Sequence, residues 1–321
     1  MFLTVTLNAA IDKTLTLSAL TPGGLHRPVS AVSLAGGKGI NVSRALRTLG
    51  EATLATGLVA GVTGEAIVTL LLREGIPQAF HAVSSGESRT CIALLHHRDA
   101  HPFTEINEVG PPVAEADYEA FVQYLAPLVR NCEWLVLSGS LPPGLGPEAY
   151  TRLIRAAKAG GKRVSLDTSG PELPALLTSE LDVLKPNQAE AEGIVGRSFD
   201  LAEVPGVVAE LLDRGPRLVA LTMGAAGAAF ATHDEAWWLP APAVEVVNPI
   251  GSGDACLAAL LSRLQRGEAL AEAARWGVAA GSANAMVSGA AACYLSDVEA
   301  LLPRIRPVPL DALVLPTGAR A

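Results

Sequence analysis

The chain has 321 residues, which is enough for one large α/β domain or for two smaller domains. Half of the residues are hydrophobic and 17% are charged, with 31 glycines and 22 prolines, so the composition is typical of a compact globular protein and excludes a disordered chain. A net charge of −8 gives no support for broad binding to nucleic acid or to an anionic membrane. Any phosphate site must therefore be local.

The cysteines and the N-terminus bear on the compartment. Four cysteines are scattered along the chain without a CxxC pair or histidines at metal-ligand spacing, so neither zinc nor a disulfide framework is indicated. The first residues lack the basic segment of a signal peptide, and no apolar run reaches the length of a membrane span. We therefore expect a soluble cytoplasmic protein with reduced thiols. The cysteines are Cys91, Cys132, Cys256 and Cys293.

The first predicted strand is Phe2 to Leu7, an apolar run that leads to Asp12. Ligands collect at the carboxyl ends of strands in open α/β sheets, so Asp12 is placed to hydrogen-bond a polyol, although for this residue taken alone a turn or cap role is the simpler interpretation. Two short β-prone segments follow, Thr14 to Leu17 and Val29 to Leu34, and these predict a small flap.

A glycine-rich loop precedes the first predicted helix. Gly36, Gly37 and Gly39 let the backbone approach a ligand closely, and a helix that begins at Lys38 to Asn41 would point free N–H groups at it. The loop lacks the spacing of a P-loop and of a dinucleotide-binding motif, so it is more typical of sugar recognition.

Alternating strands and helices from residue 52 onward predict a mostly parallel sheet. One of the strands, Ser88 to Leu95, begins beside Arg89, whose donor fork suits a phosphate as well as a surface salt bridge. Thr104 to Glu108 is a second candidate flap edge and includes Asn107. The other predicted strands are 52–59, 79–83, 134–137, 163–166 and 218–222. A predicted turn at Gly61 to Gly64 leads into a helix that runs to residue 72, and further helices lie near 117–129, 150–159 and 271–286.

Polar residues follow several of these strands. Ser138 opens the loop that ends at Gly144. In Lys185-Pro186-Asn187 the proline forces an extended link, after which Asn187 and Glu190 have the spacing of a helix capping box. The same two side chains are also suited to hold the waters of a hydrated magnesium ion. The later candidates are Thr222, Gly224 and Gly227, which could contact a nucleotide closely, and Asn284, on a small-residue helix face that could pack against a flat base.

The most informative segment is Asn248 to Cys256. Gly251, Ser252 and Gly253 predict a tight turn into a helix, and such a turn offers free N–H groups to an anion. Asp254 adds a carboxylate that could take a proton from an attacking hydroxyl, which suits phosphoryl transfer to an alcohol. The alternative is an acidic first-turn residue that only stabilises a helix.

In their order and spacing these segments resemble the ribokinase-like (PfkB) sugar kinases, in the branch that contains 1-phosphofructokinase, tagatose-6-phosphate kinase and the minor 6-phosphofructokinase. The resemblance implies a three-layer α/β/α fold with a mostly parallel central sheet and a small β-sheet lid. It also implies a single domain over 1–321, with the lid formed by insertions at about 12–35 and 87–108. The segments that carry it are residues 7–12, 36–42, 89, 104–107, 138–144, 185–187 and 251–254.

The resemblance assigns a role to each candidate residue. It implies that Asp254 is the catalytic base and that the amides of Gly251, Ser252 and Gly253 form the anion hole. Glu190 would contact Mg²⁺ through water. The sugar phosphate would be held by Asp12, Gly36, Gly37, Lys38, Asn41, Arg89, Asn107 and Ser138. The nucleotide would be held by Lys185, Asn187, Thr222, Gly224, Gly227 and Asn284.

The implied activity is ATP- and Mg²⁺-dependent phosphorylation of a ketohexose monophosphate. Asn248 to Asp254 looks like the tagatose-6-phosphate kinase form of the signature, whereas Thr104 to Asn107 looks like 1-phosphofructokinase. Tagatose 6-phosphate and fructose 1-phosphate therefore both stay open as substrates. The alternatives are a 6-phosphofructokinase, a kinase of an unphosphorylated sugar or nucleoside, and a non-catalytic sugar-phosphate sensor. The family also implies a homodimer formed through the lid, and neither nucleic acid nor membrane is expected as a partner.

Overall fold

The structure, a computed structural model, describes residues 1–96, 103–170, 173–177 and 181–312. Two β-sheets organise this part of the chain: a large sheet of ten strands and a small sheet of four. Within the described ranges, no helix is both long enough and apolar enough to cross a bilayer.

The large sheet is parallel over most of its width. Its strands are β1 (Phe2–Thr6), β4 (Thr53–Val59), β5 (Gln78–Ala82), β8 (Trp134–Ser138), β9 (Arg163–Asp167), β10 (Val183–Leu184), β11 (Val219–Thr222), β12 (Ala228–Ala231), β13 (Ala236–Leu239) and β14 (Val308–Pro309). They are ordered β14-β13-β12-β11-β10-β9-β8-β1-β4-β5, and only the pairs among β11 to β14 are antiparallel. The strands β1, β8 and β9 are almost entirely buried because helices cover both of their faces.

Helices cover both faces of the large sheet, as predicted. Alternate residues of each central strand point to opposite faces, so Leu3 and Leu135 belong to one core, whereas Phe2 and Val136 belong to the other. The helices are α1 (Lys38–Thr48), α2 (Gly61–Glu74), α3 (Glu115–Arg130), α4 (Pro147–Ala159), α5 (Leu173–Leu176), α6 (Gln188–Val195), α7 (Val204–Leu212), α8 (Ser252–Gln265), α9 (Leu270–Ala285) and α10 (Leu295–Leu301). The first core contains side chains of α3, α4 and α7, and the second contains those of α1, α8 and α9. This is the predicted three-layer α/β/α arrangement.

The small sheet is built from the two predicted insertions. Its strands are β2 (Ala10–Thr16), β3 (Ser30–Gly36), β6 (Arg89–Leu95) and β7 (Phe103–Asn107), in the order β3-β2-β6-β7. One row across the sheet aligns Leu34, Asp12, Cys91 and Asn107. Since side chains alternate between the faces of a strand, these four share one face.

Two local predictions are wrong. Asp12 does not lie in a turn after β1 but inside β2, because seven residues of β2 pair with β3 on one side and β6 on the other, and this pairing outweighs the low strand propensity of aspartate. Gly61 to Gly64 is not a turn before a helix but the first turn of α2. The Glu87 carboxylate accepts hydrogen bonds from the N–H groups of Val62 and Thr63 and thereby caps that helix from outside.

Candidate active site

A cavity of about 1250 Å³ lies at the carboxyl ends of the parallel strands. Its wall includes one face of the small sheet at one end and the segment after β11 at the other. We call the first the small-sheet end, defined by Asp12, Arg89 and Asn107, and the second the β11 end, defined by Thr222 and Gly227. Carboxyl edges of parallel strands are where α/β proteins bind ligands, so this cavity is the candidate active site.

Asp254 lies on the cavity wall in the first turn of α8 and is 5% exposed. The Asn41 amide nitrogen donates a hydrogen bond of 2.9 Å to its carboxylate. Burial and the nearby Asp167 carboxylate raise the pKa of Asp254 to about 7, against the opposite influence of Lys38, Asn41 and Lys185. A carboxylate with a pKa near neutrality is matched to accepting a proton from a hydroxyl.

The turn before Asp254 is tightly constrained. Gly251 has a φ of 83°, and a Cβ atom there would lie 2.5 Å from the Ala291 nitrogen, so only glycine fits. The N–H groups of Gly251 and Gly253 have no hydrogen-bond partner in the part of the chain that the structure describes, whereas Ser252 N–H donates to the Pro249 carbonyl at 3.2 Å. Two backbone donors at a helix N-terminus are thus available to an anion.

Two lysines and two carboxylates form a buried network beside this turn. Lys38 Nζ lies 2.7 Å from Asp167 Oδ1 and 3.0 Å from Glu190 Oε1, and Lys185 Nζ lies 3.0 Å from Asp167 Oδ2. Burial opposes ionisation of Asp167, but Lys185 and Lys38 more than compensate and hold its pKa below the ordinary value. The pKa of both lysines is raised: burial opposes their charged forms, but Asp167 outweighs it. Two fixed ammonium groups beside an anion site favour a polyphosphate.

Asp12 faces the cavity next to the glycine loop. A Cβ atom at Gly36 would lie 2.1 Å from the Asp12 carboxyl carbon, so the carboxylate occupies the space that a side chain would need. Burial raises the pKa of Asp12, while the charges of Arg44 and Arg89 and the Gly37 N–H lower it. Gly37 has a φ of 106° and is the N-cap of α1, which therefore begins at Lys38 as predicted.

Arg89 and Asn107 lie at the small-sheet end. Arg89 Nε donates to the Asn8 carbonyl and its Nη1 to the Glu108 carbonyl, both at 3.2 Å, and these bonds fix the guanidinium on the cavity wall. Its remaining N–H groups are available to a ligand anion. Glu105 stands two residues from Asn107 on the same strand face and also lines the cavity.

The β11 end is built differently, from small residues and exposed backbone. Thr222 ends β11 and pairs with Asn187 in a parallel bridge. Gly227 has a φ of 127°, and a Cβ atom there would lie 2.2 Å from the Leu239 carbonyl oxygen. The surrounding wall includes Gly224, Met223, Ala225, Val244, Val278 and Ala285. Such a wall suits the flat face of a base through packing.

Four of the predicted site residues do not line the cavity. Gly36 is behind Asp12, and the Ser138 side chain is fully buried. Glu190 Oε2 accepts from the Asn187 N–H, so the capping box is present, while its Oε1 contacts Lys38. Asn284 is also fully buried and donates to the Ile250 carbonyl and to Ser252 Oγ, at 2.9 and 3.0 Å. It thus braces the turn before Asp254.

Asp167, Glu105 and Cys91 also line the cavity but were not predicted as site residues. Asp167 ends β9, so the strand-end rule that singled out Asp12 would also have found it. Glu105 and Cys91 carried no such signal, because strand register decides which side chains share a face.

Comparison with known proteins shows the family to which the chain belongs. Residues 5–297 match the model of the pfkB family carbohydrate kinases, so the chain belongs to that family. Phosphofructokinase-2 from Escherichia coli, in complex with fructose-6-phosphate, is 29% identical with a TM-score of 0.84, over 95% of this chain and 98% of that one.

Two further structures share the fold. A possible 1-phosphofructokinase from Thermotoga maritima is 25% identical with a TM-score of 0.88, over 96% of this chain and 99% of that one. Ribokinase from Arabidopsis thaliana, complexed with ribose and ATP, is 24% identical with a TM-score of 0.73, over 94% and 98%. The last likeness shows the fold alone, which is the ribokinase-like fold expected from the sequence.

Proposed function

We propose that this carbohydrate kinase transfers the γ-phosphoryl group of ATP to a hydroxyl of a ketohexose monophosphate and so forms a bisphosphate. The first candidate reactions are tagatose 6-phosphate to tagatose 1,6-bisphosphate and fructose 1-phosphate to fructose 1,6-bisphosphate. The chain would thus be a phosphotransferase with an alcohol acceptor.

The observation that carries the proposal is the position of Asp254 in one continuous cavity. The carboxylate is hydrogen-bonded to Asn41, next to the glycine loop, while Gly253 lies beside Lys185. A sugar phosphate held by Asp12 and Arg89 and a nucleotide at the β11 end would therefore both reach the same turn.

The proposed step follows from these groups. Asp254 takes the proton of the attacking hydroxyl, whose oxygen forms a bond to the γ-phosphorus as the bond to the ADP oxygen breaks. The N–H groups of Gly251 and Gly253 stabilise the charge on the transferred phosphoryl oxygens, as does the Lys185 ammonium. Alignment and fixed charge supply most of the catalysis in such a transfer, because its transition state is loose.

Mg²⁺ would be held mainly by phosphate oxygens and water. In the described ranges, no three His, Cys, Asp or Glu side chains are grouped so that they could hold a metal ion. This fits Mg²⁺, which keeps several waters and binds substrate phosphates in preference to an all-protein cage. Asn187, on the cavity wall, would contact its waters, whereas Glu190 would do so only if its carboxylate left Lys38 or the Asn187 N–H. The ion would neutralise charge on the triphosphate when bound.

One assay tests the proposal. ADP release with Mg-ATP is measured for tagatose 6-phosphate, fructose 1-phosphate, fructose 6-phosphate and free fructose at equal concentrations. A marked preference for one of the first two confirms the proposed reaction and names the substrate. Turnover of free fructose alone contradicts it and removes the role given to Arg89, and no turnover of any of them favours a sugar-phosphate sensor.

A second candidate function is 6-phosphofructokinase. It is favoured by the likeness to phosphofructokinase-2 from Escherichia coli, which binds fructose-6-phosphate. The same assay decides between them, because fructose 6-phosphate is one of the four acceptors.

We further propose a homodimer formed through the small sheet, which would act as a lid over the sugar. The sheet face opposite Asp12 carries Leu15, Leu94 and Ile106, and Ile106 is 54% exposed. Such an apolar face fits a second copy of the chain. Light scattering of the purified protein should give a dimer mass, and Ile106→Glu should give a monomer. A monomeric parent protein would contradict the proposal.

A further inference from the structure

Arg44 is a buried side chain that the proposed reaction leaves without a role. It lies on α1, is 8% exposed and does not line the cavity. A buried guanidinium is costly unless nearly all of its donors are paired, so its partners indicate what it is for.

The guanidinium holds four separate parts of the chain together. It donates to Asn41 Oδ1 at 2.7 Å and to the carbonyls of Ala35 and Ala290 at 2.5 and 3.1 Å. Glu74, at the end of α2, accepts from Nε at 2.6 Å and from Nη2 at 3.1 Å. The two charges therefore neutralise each other in the interior.

The bond to Asn41 fixes the direction of that amide. An arginine can only donate, so the Asn41 oxygen must face Arg44 and the Asn41 nitrogen must face Asp254. The nitrogen then donates to Asp254 Oδ2 at 2.9 Å. Without the guanidinium, the amide could rotate and turn its oxygen toward the carboxylate, which cannot donate to it when ionised.

The hydrogen bonds of Arg44 to Ala290 and Ala35 connect it to two further parts of the candidate active site. Ala290 belongs to the segment against which Gly251 packs, where a Cβ atom would lie 3.1 Å from the Ala290 carbonyl carbon. Ala35 directly precedes the glycine loop, near the end of β3, and pairs with Ile11, the neighbour of Asp12. Arg44 thus contacts the residue that holds Asp254, the segment that packs against Gly251 and the residue that precedes the glycine loop.

We propose that Arg44, held by Glu74, is a positioning residue for the base: it fixes the Asn41 amide so that the amide donates to Asp254, and it braces the turn at Gly251. The catalytic consequence rests on the proposed function, whereas the orientation of Asn41 does not. The charged groups that face Asp254 from other elements are Lys38, Asp167 and Lys185, and none of the three is among the hydrogen-bond partners of Arg44.

Four variants test the proposal. Arg44→Met removes all of the donors, Arg44→Lys keeps a charge with fewer donors, and Glu74→Gln keeps an acceptor for Arg44 without its counter-charge. Asn41→Ala removes the amide itself and sets the reference. The matched control is Arg263→Met: Arg263 is also 8% exposed, lies on α8 with Asp254, and pairs with Glu268 at 3.3 Å, but it does not line the cavity or contact Asn41.

The first readout is the pH profile of turnover on the best acceptor. We expect kcat to fall about 100-fold in Arg44→Met with the KM for Mg-ATP unchanged, because a misplaced base costs about that much. The acid limb of kcat/KM should move to higher pH in the same direction as in Asn41→Ala, since the carboxylate loses its donor. Arg44→Lys should recover part of the loss, Glu74→Gln should lose less, and Arg263→Met should leave the limb in place.

The second readout needs no turnover. The free energy of unfolding is measured against pH for the parent and for Asp254→Asn, and again for both in the Arg44→Met background. The difference within each pair should fall as pH rises from the unfolded pKa of aspartate, about 3.9, to its folded value. The fall should extend to higher pH without Arg44. If Arg44→Met does not fold, Glu74→Gln and Arg44→Lys replace it in both readouts.

The outcomes separate the two proposals. If the parent turns over none of the four acceptors, the proposed function fails and the unfolding measurement alone decides the role of Arg44. The role is overturned if the folded Arg44 variants keep both the acid limb and the titration range of the parent, or if Arg263→Met shifts them equally. A shift confined to Arg44, Glu74 and Asn41 variants supports it.

Discussion

The two ends of the cavity present different kinds of surface to a ligand. The small-sheet end presents charged side chains, Asp12, Arg89 and Glu105, held by hydrogen bonds to neighbouring backbone or by strand pairing. The β11 end presents small and apolar side chains such as Ala225 and Val244 together with glycine backbone. A charged contact is lost as a whole when one residue changes, whereas packing is shared among many residues. The effects of single substitutions on activity should therefore be graded, largest at Asp254 and smallest at the β11 end.

The largest effect is expected for Asp254→Asn. The variant keeps the shape of the side chain and its place on α8 but cannot accept the hydroxyl proton, so kcat should fall about 10² to 10⁴-fold. Stability should be kept or should rise at pH 8, because burial disfavours the ionised carboxylate that asparagine replaces. Steady-state kinetics and thermal unfolding measure both quantities. A folded variant with unchanged kcat would remove Asp254 as the base.

The pH dependence of activity tests the same residue without a substitution. Because the pKa of Asp254 is raised to about 7, the carboxyl group is protonated at lower pH and cannot act as the proposed base there. We expect kcat/KM for the sugar phosphate to fall below pH 7 and to approach a tenfold loss for each further pH unit. The sign for stability is opposite: a raised carboxylate pKa means that the folded state holds the proton more tightly, so its contribution to stability falls between about pH 4 and pH 7.

A control is needed to show whether the acid limb reports Asp254 or the substrate phosphate, because the phosphate also titrates near pH 6. Asn41→Ala serves as the control, because loss of the 2.9 Å hydrogen bond should raise the pKa of Asp254 and move the limb upward. A limb that is identical in both proteins would belong to another group.

Arg89→Ala should separate the two ends of the cavity. Hydrogen bonds to a charged group contribute about 1.5 to 3 kcal/mol, so the KM for the phosphosugar should rise about 10- to 100-fold while the KM for ATP stays close to that of the parent. Arg155→Ala, at an exposed position on α4 outside the cavity, is the control. An equal rise for both substrates would contradict the assignment of Arg89 to the sugar phosphate.

The sequence predicted the parts of the site that depend on local chemistry. The glycine turn before Asp254, the helix that begins at Lys38 and the capping box of Asn187 all follow from the residues next to them in the chain. These features need no knowledge of the sheet order, because backbone sterics and hydrogen bonding within a few residues decide them.

Contacts across the sheet could not be predicted in this way. Lys38 and Asp167 are 129 residues apart in the chain. They meet because β9, which ends at Asp167, is only two strands away from β1 in the large sheet. The same holds for Asn284, which was expected beside a nucleotide base but donates to Ser252 instead. Its direction depends on how α9 packs against α8, which spacing alone does not give.

The smallest effect is expected for Val244→Ala at the β11 end. Val244 is half-buried, and the substitution removes two methyl groups at about 0.8 kcal/mol for each when fully buried, so the KM for ATP should rise about 3- to 10-fold with kcat and the KM for the sugar unchanged. Val62→Ala, at a position 74% exposed on α2, is the matched control and should change neither constant. A rise as large as that for Arg89→Ala would mean that one side chain dominates the β11 end, and the contrast between the two ends would be lost. A graded loss over several such substitutions would instead establish that this end binds the adenine ring of the nucleotide by packing.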